Sequence, residues 1–232
     1  MTEFSLPFGK TQLSFNLPEV FHTDLLTPAA GEPLENPEED IRQALNKPIG
    51  PQKRRAKDEV QSIGIAINDK TRPVPDPNPL TLLLDHFDQL GFSKEQITIF
   101  IGSGTHQPMP ESELTRLMPE AVVNAYRIVV HDCDKASLAD IGHTPHGTPI
   151  RINADFMACD LKITVGNIEP HHFMGFSGGV KTAVIGLAGR DTINTNHAML
   201  THPQSKSGVY HINPMRQDIE IMGKRAEIDF SL

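Results

Sequence analysis

From Glu59 onward, short apolar runs alternate with stretches whose apolar residues recur at helical spacing. The runs are VQSIGIAIN (60–68), QITIFIG (96–102), RIVVHD (127–132) and LKITVGN (161–167). Between them lie PLTLLLDHFDQLG (79–91) and PESELTRLMPEAVVNAY (110–126). Near-continuous apolar strands separated by amphipathic helices predict an α/β fold, an open, mostly parallel sheet covered by helices on both faces, Rossmann-like. After the last run, GGVKTAVIGLAG (178–189) predicts a buried helix started by glycines, and NPMRQDIEIMGKRA (213–226) a more polar one.

The N-terminal region has a different texture. EFSLPF and TQLSFNL alternate weakly about Gly9-Lys10, which predicts a short β-hairpin. A proline-rich loop follows from Thr27 to Pro37, where Asn36 and Pro37 open a helix over PEEDIRQALN. At the other end, RAEIDFSL starts like a strand with nothing after it to pair or cap it. The expectation is one domain over residues 1–232, cut from a longer protein. No internal repeat or low-complexity tract is visible.

Composition narrows the classes. The 232 residues carry a formal charge of −8, with 38% hydrophobic and 22% charged residues, which excludes a disordered chain. No apolar run approaches the ~20 residues that span a bilayer, and MTEFSLPFGK lacks a signal-peptide core. Cys133 and Cys159 form neither a disulfide framework nor a CxxC pair, so a cytoplasmic setting is expected. The acidic balance disfavours nucleic acid as the main partner. Histidine is the abundant reactive residue, with 11 in the chain. It suits proton transfer near neutral pH and metal ligation alike.

In an open parallel sheet, ligands bind outside the carboxyl ends of the strands. After IGIAIN comes Asp69-Lys70-Thr71-Arg72; after ITIFIG, Ser103-Gly104-Thr105-His106; after RIVV, His131-Asp132-Cys133-Asp134; after LKITVGN, Glu169-Pro170-His171-His172. Four strands thus deliver titratable side chains to one edge, which is the expected site. GFSGGVKT (175–182) resembles a phosphate loop, but Val180 stands where Walker A requires its second glycine. What remains is an anion site with Gly178 and Gly179 offering backbone N–H groups at a helix start, Ser177 as cap or donor and Lys181 in the first turn. His131, Cys133, His143 and His146 could be imagined on zinc, but Gly142, Pro145 and Gly147 make that stretch a loop and argue against it.

DKTRPVP (69–75), GTHQP (104–108), NIEPHHFMGFSGGVKT (167–182) and NTNHAM (194–199), with a lesser echo in NKPIGP (46–51), resemble the N-terminal domain of the nickel-pincer lactate racemase family. The resemblance implies a nickel-dependent racemase or epimerase of a 2-hydroxy acid. Its cofactor would be a nickel-pincer nucleotide, a pyridinium-3-thioamide-5-thiocarboxylic acid mononucleotide. Lys181 would tether that cofactor through a thioamide, and His197 would complete the coordination of nickel. His106 and His171 would alternate as acid and base, Arg72 would hold the substrate carboxylate, and Asp69 would support a neighbouring histidine. Lys70 stands where the family often has His, and His172 where an aromatic such as Phe is familiar.

The resemblance also implies partners: a small 2-hydroxy acid, a C-terminal domain absent from this chain, and the enzymes that build the cofactor. It allows a homo-oligomer and calls for neither nucleic acid nor membrane. Two other readings stay open on the residues alone. One is a phosphate-loop nucleotide-binding transferase using GFSGGVKT. The other is a non-catalytic domain that holds a nucleotide and turns nothing over.

Overall fold

The structure is a computed structural model that describes residues 2–26, 31–50, 57–76 and 78–232. Residues 27–30 of the expected proline-rich loop, and Pro51 of NKPIGP, lie outside the described residues. The chain separates into two compact units, residues 1–35 and 36–232. In the first, β1 (Thr2–Phe8) and β2 (Thr11–Leu17) pair antiparallel about Gly9, whose φ of 59° makes the tight reversal. The expected hairpin is thus present.

In the second unit the order is α1 (Pro37–Asn46), β3 (Ile63–Asn68), α2 (Pro79–Gln89), β4 (Ile97–Gly102), α3 (Glu120–Ala125) and β5 (Arg127–Val130). Then come β6 (Leu138–His143), β7 (Pro149–Asn153), α4 (Ala154–Met157), β8 (Leu161–Val165), β9 (Pro170–His171) and β10 (Gly175–Phe176). The chain finishes with α5 (Lys181–Val184), α6 (Arg190–His197), α7 (Pro214–Arg225) and β11 (Phe230–Ser231). The central sheet has five parallel strands in the order β11-β8-β3-β4-β5. This is the predicted α/β architecture.

Alternation along the strands divides the core into two layers. Ile63, Ile65 and Ile67 of β3 join Ile97, Ile99 and Ile101 of β4 beneath Leu80, Leu83, Leu84 and Phe87 of α2. Ala66 and Phe100 point to the opposite face, against Phe156, Ala183, Val184, Met215, Ile219 and Met222. Caps fix the helix starts. Asn78 accepts from the Leu80 amide at 3.0 Å with Pro79 as first residue, and Asn213 does the same for α7, accepting from the Arg216 amide at 3.2 Å ahead of Pro214.

Four local expectations change. The helix expected over 110–126 is a 3-10 stretch, Glu111–Arg116, followed by α3, because Pro119 lacks an N–H and disfavours helical geometry at Met118. GGVKTAVIGLAG is buried as expected but contains a single helical turn, α5. Gly186 ends it: a Cβ there would come within 3.0 Å of the Gly102 backbone, so two glycines let this segment lie against β4. The 131–146 stretch, expected to be loop, contains β6, which pairs with β7 in a hairpin with an irregularity between Asp140 and His143. Finally, the terminal strand is not left unpaired, since β11 adds to the sheet beside β8, Phe230 opposite Ile163. Among the described residues no helix is long and apolar enough to cross a membrane.

Candidate active site

The sheet order places a switch point between β3 and β8. The chain proceeds from β3 to β4 and β5 on one side, then returns to β8 on the other. At such a point the loops leaving neighbouring strands part in opposite directions and open a crevice at the carboxyl ends. A cavity of about 260 Å³ lies there, reached by Asp69 and Arg72 after β3, Ser103 and His106 after β4, and His171, Phe173, Ser177, Gly178, Lys181 and His197 after β8. The loop after β5 does not take part. His131 is fully buried elsewhere, its Nε2 2.9 Å from the Ala188 carbonyl, and burial holds its pKa low. Asp132 pairs with Lys135, and Asp134 with Arg190. Three of the four expected loops therefore converge.

The turn after β3 is held by its own side chain. Asp69 is 4% exposed; its Oδ1 accepts from the Thr71 amide at 3.0 Å and the Thr71 hydroxyl at 2.5 Å. Its other oxygen, Oδ2, lies 2.7 Å from Nδ1 of His106. A carboxylate on Nδ1 favours the tautomer with the proton there, which leaves the Nε2 lone pair free. Arg72 completes the turn, its amide donating to the Asp69 carbonyl, and its Nε meets Oε1 of Glu169 at 3.3 Å.

After β8, the short β9–β10 hairpin presents His171. Its ring accepts weakly from the Met174 amide at 3.4 Å and lies edge-on to Phe173, centroids 4.7 Å apart. Burial pushes its pKa down to about 4, and the nearby charges of Lys181, Arg72, His172 and His197 add to the effect. His172 is exposed in the turn that follows β9, and of the adjacent pair His171 lines the cavity. Ser177 fastens the loop: its hydroxyl donates to the Asn167 carbonyl at 2.8 Å and accepts from the Glu169 amide at 3.1 Å.

Gly178 and Gly179 have φ of 71° and 59°. A Cβ on Gly178 would stand 2.6 Å from the Asn167 carbonyl oxygen, so that position takes only glycine. Because α5 has one turn it sums little dipole, so the backbone N–H groups of Gly178 and Gly179, rather than a helix end, are what this loop offers an anion.

Lys181 is the unusual group. It is the first residue of α5, and its ammonium has no hydrogen-bond or ion-pair partner among the described residues. Burial lowers its pKa to about 8, with Arg72 and Arg216 adding to the shift and Asp69 and Glu169 opposing it. His197 ends α6. Its Nδ1 is buried without a partner, and burial first, then Lys181, lowers its pKa against the pull of the Ile193 carbonyl. Ser103, another residue lining the cavity, adds a second buried orphan in its hydroxyl. Sequence reasoning missed Ser103 and Phe173 as parts of the site. Each has neighbours with stronger signals, and a lone serine after a strand carries none.

A switch-point cavity lined by histidines, an arginine and an unpaired lysine marks an α/β domain with a candidate acid–base site. A family model described as "Lactate racemase N-terminal domain" matches residues 8–208. The chain belongs to this family. It is 34% identical to the lactate racemase of Thermoanaerobacterium thermosaccharolyticum over 238 residues, 100% of the chain and 56% of the relative. It is 30% identical to that of Lactiplantibacillus plantarum over 239 residues, 99% of the chain and 55% of the relative.

The solved apoprotein of the Thermoanaerobacterium enzyme superposes with a TM-score of 0.83 at 31% identity, covering 98% of this chain and 54% of that one. A crystal structure of a Thermotoga maritima protein shares the fold, with a TM-score of 0.64 at 24% identity over 81% of this chain and 47% of that one. The chain spans about half the length of the curated relatives it matches.

Proposed function

We propose that this chain is the cofactor-bearing N-terminal domain of a nickel-dependent racemase or epimerase of a 2-hydroxy acid, lactate or a close relative. The observation that carries the proposal is the half-buried, unpaired Lys181 in one cavity with His106, His171, His197 and Arg72. Partly desolvating an ammonium that no carboxylate pairs directly is costly, and the cost is relieved once the amine becomes a neutral amide-type linkage. The donor set fits the implied cofactor on the same grounds. His197 offers a buried ring nitrogen with no partner, and imidazole is a suitable ligand for nickel. Ser103, whose buried hydroxyl also lacks a partner, lines the same cavity.

Lys181 would tether the nickel-pincer nucleotide and His197 would hold its metal, with Gly178 and Gly179 giving room for close approach of the backbone and Ser177 keeping that loop in shape. When bound, the cofactor supplies an electrophilic carbon that accepts a hydride and returns it. The remaining work falls to the protein. His106, with Nδ1 turned to Asp69, presents Nε2 to take the substrate hydroxyl proton. His171, kept neutral by burial and surrounding charge, is the second proton acceptor needed for the opposite enantiomer. Arg72 holds the carboxylate while the planar 2-keto acid turns.

The transferase alternative fits less well. A Walker loop joins a sheet strand to a long helix, whereas GFSGGVKT joins the two-residue β10 to the single turn of α5. The proposal includes a second domain that closes the cavity, the cofactor-building enzymes as partners and a cytoplasmic setting, in keeping with two free, buried cysteines. Intact mass of protein made alongside those enzymes tests it. An adduct on Lys181 that Lys181→Ala abolishes supports the reading; a protein that racemises without any adduct overturns it.

A further inference from the structure

The N-terminal hairpin has two unlike faces. Its register pairs Phe4 with Phe15, Leu6 with Leu13 and Phe8 with Thr11 on one face, and Glu3 with Asn16, Ser5 with Ser14 and Pro7 with Gln12 on the other. The second face is polar and satisfied in place, with the Ser5 hydroxyl bonded to Gln12 at 3.0 Å. The first is apolar and open: Phe4 and Phe15 stack at 5.9 Å, while Leu6, Phe8 and Leu13 are 52%, 68% and 51% exposed. A lone two-stranded hairpin is marginal in water without a layer to pack against. Its sequence nevertheless alternates as if one face were buried.

We propose that this apolar face docks on the second half of the polypeptide that the relatives carry and this chain does not span. The inference rests on the reading of the chain as one domain of a two-domain enzyme. Two facts choose the occupant. The hairpin has a counterpart in the solved relative, since 98% of this chain superposes on a protein of which it covers 54%. A partner of that length is therefore available in the same molecule. The face is also small. Strands of seven residues make a ribbon about 24 Å long and about 10 Å wide. That is well short of the ~800 Å² per partner that holds an independent dimer. A small face suffices when the partner is tethered and no association entropy is lost.

Hydrogen exchange read by mass spectrometry tests the docking. In the 232-residue chain alone, amides of residues 3–17 should exchange as an open hairpin does. When the chain is continued in one polypeptide by the second half of the Thermoanaerobacterium racemase, they should slow about 100-fold. Leu6→Asp with Leu13→Asp should remove that protection and leave β3 and β4 protected. Hairpin protection in the chain alone that rises with concentration would make a second copy the occupant and overturn the proposal. A folded second half that protects residues 167–181 but not the hairpin defeats the docking alone. One that protects neither defeats the two-domain reading as well. If the joined second half does not fold, the same amides are followed in the Thermoanaerobacterium enzyme, where a hairpin exchanging as freely as in the isolated chain overturns the proposal.

Discussion

Nδ1 of His106 lies 2.7 Å from Oδ2 of Asp69, and the other oxygen of that buried carboxylate is taken by the amide and hydroxyl of Thr71. The carboxylate is thus fixed in orientation before it meets the ring. It selects the imidazole tautomer, and the free Nε2 is left to accept a proton.

Asp69→Asn preserves shape but offers His106 an amide N–H, which favours the tautomer with its proton on Nε2 and removes the free lone pair. We expect kcat of the loaded enzyme to fall about 100-fold, within the usual range for a general base, with KM changed less than threefold. Steady-state rates measured from both enantiomers check this. Nickel content should be unchanged, and a kcat within twofold of the parent would show that the pair does not set the tautomer used in turnover.

Lys181 should titrate far below an ordinary lysine. Competitive reductive methylation across pH, read by peptide mass, is expected to give a midpoint about 8 against the usual 10.5. The sign for stability follows. Between these values the unfolded amine binds a proton that the folded amine has released, so Lys181 contributes stability that grows as pH rises from about 8 to 10.5. Below that window its buried charge costs up to about 3 kcal/mol. Lys181→Met should therefore raise the Tm of the cofactor-free chain at pH 7 and lose that advantage above pH 10.

The same charge acts on His171. Burial is the main reason its pKa falls to about 4, and Lys181 is the first of the charges that assist. Converting Lys181 to a neutral side chain, by Lys181→Met or by tethering, should raise the His171 pKa, a change that ring-proton NMR resolves. Between about 4 and 6.5 the unfolded ring is protonated and the folded one is not, so His171 removes stability as pH falls through that window. An unmoved His171 titration in Lys181→Met would show that desolvation alone sets it.

Part of this site was visible in the sequence because its residues follow an apolar strand within a few positions, whereas Lys181 and His197 lie well beyond β8, their roles marked only by the family resemblance. Asp69, His106 and His171 need only the strand ends to be located, and β3, β4 and β8 are near-continuous apolar runs. What failed was inference from a loop's first residue to its destination. His131 also follows a strand, but its ring is drawn under the sheet by Ala188 and Asn153, partners on α5–α6 and β7 that lie far along the chain. The β6–β7 hairpin was hidden by glycines and prolines that mark an irregular hairpin as well as a loop. The short span of α5 depends on contact between Gly186 and Gly102, a tertiary fact without a local signal.

Arg72 presents its Nε to Glu169, which keeps the guanidinium in one plane at the cavity wall. Arg72→Lys keeps the charge and loses the fork. KM for the 2-hydroxy acid should rise about tenfold or more with a smaller change in kcat, because a point charge holds a carboxylate without fixing its plane. A KM within twofold of the parent would place the substrate carboxylate elsewhere.

His197 carries opposite expectations for stability and for metal. Its Nδ1 is buried with no partner, and an unsatisfied buried polar atom costs about 1–3 kcal/mol. The ring packs edge-on to Phe173 with centroids 5.3 Å apart, so an apolar ring of similar size can take its place. His197→Phe should therefore raise the Tm of the cofactor-free chain while reducing nickel in protein made with the cofactor-building enzymes to under about a tenth of the parent. A structural histidine would behave the other way, losing stability on substitution and leaving nickel in place. His106→Ala and His171→Ala should both stop racemisation with nickel retained, which separates loss of the ligand from loss of the acid–base pair. Full nickel occupancy in His197→Phe, measured by elemental analysis against protein concentration, would remove His197 from the metal site.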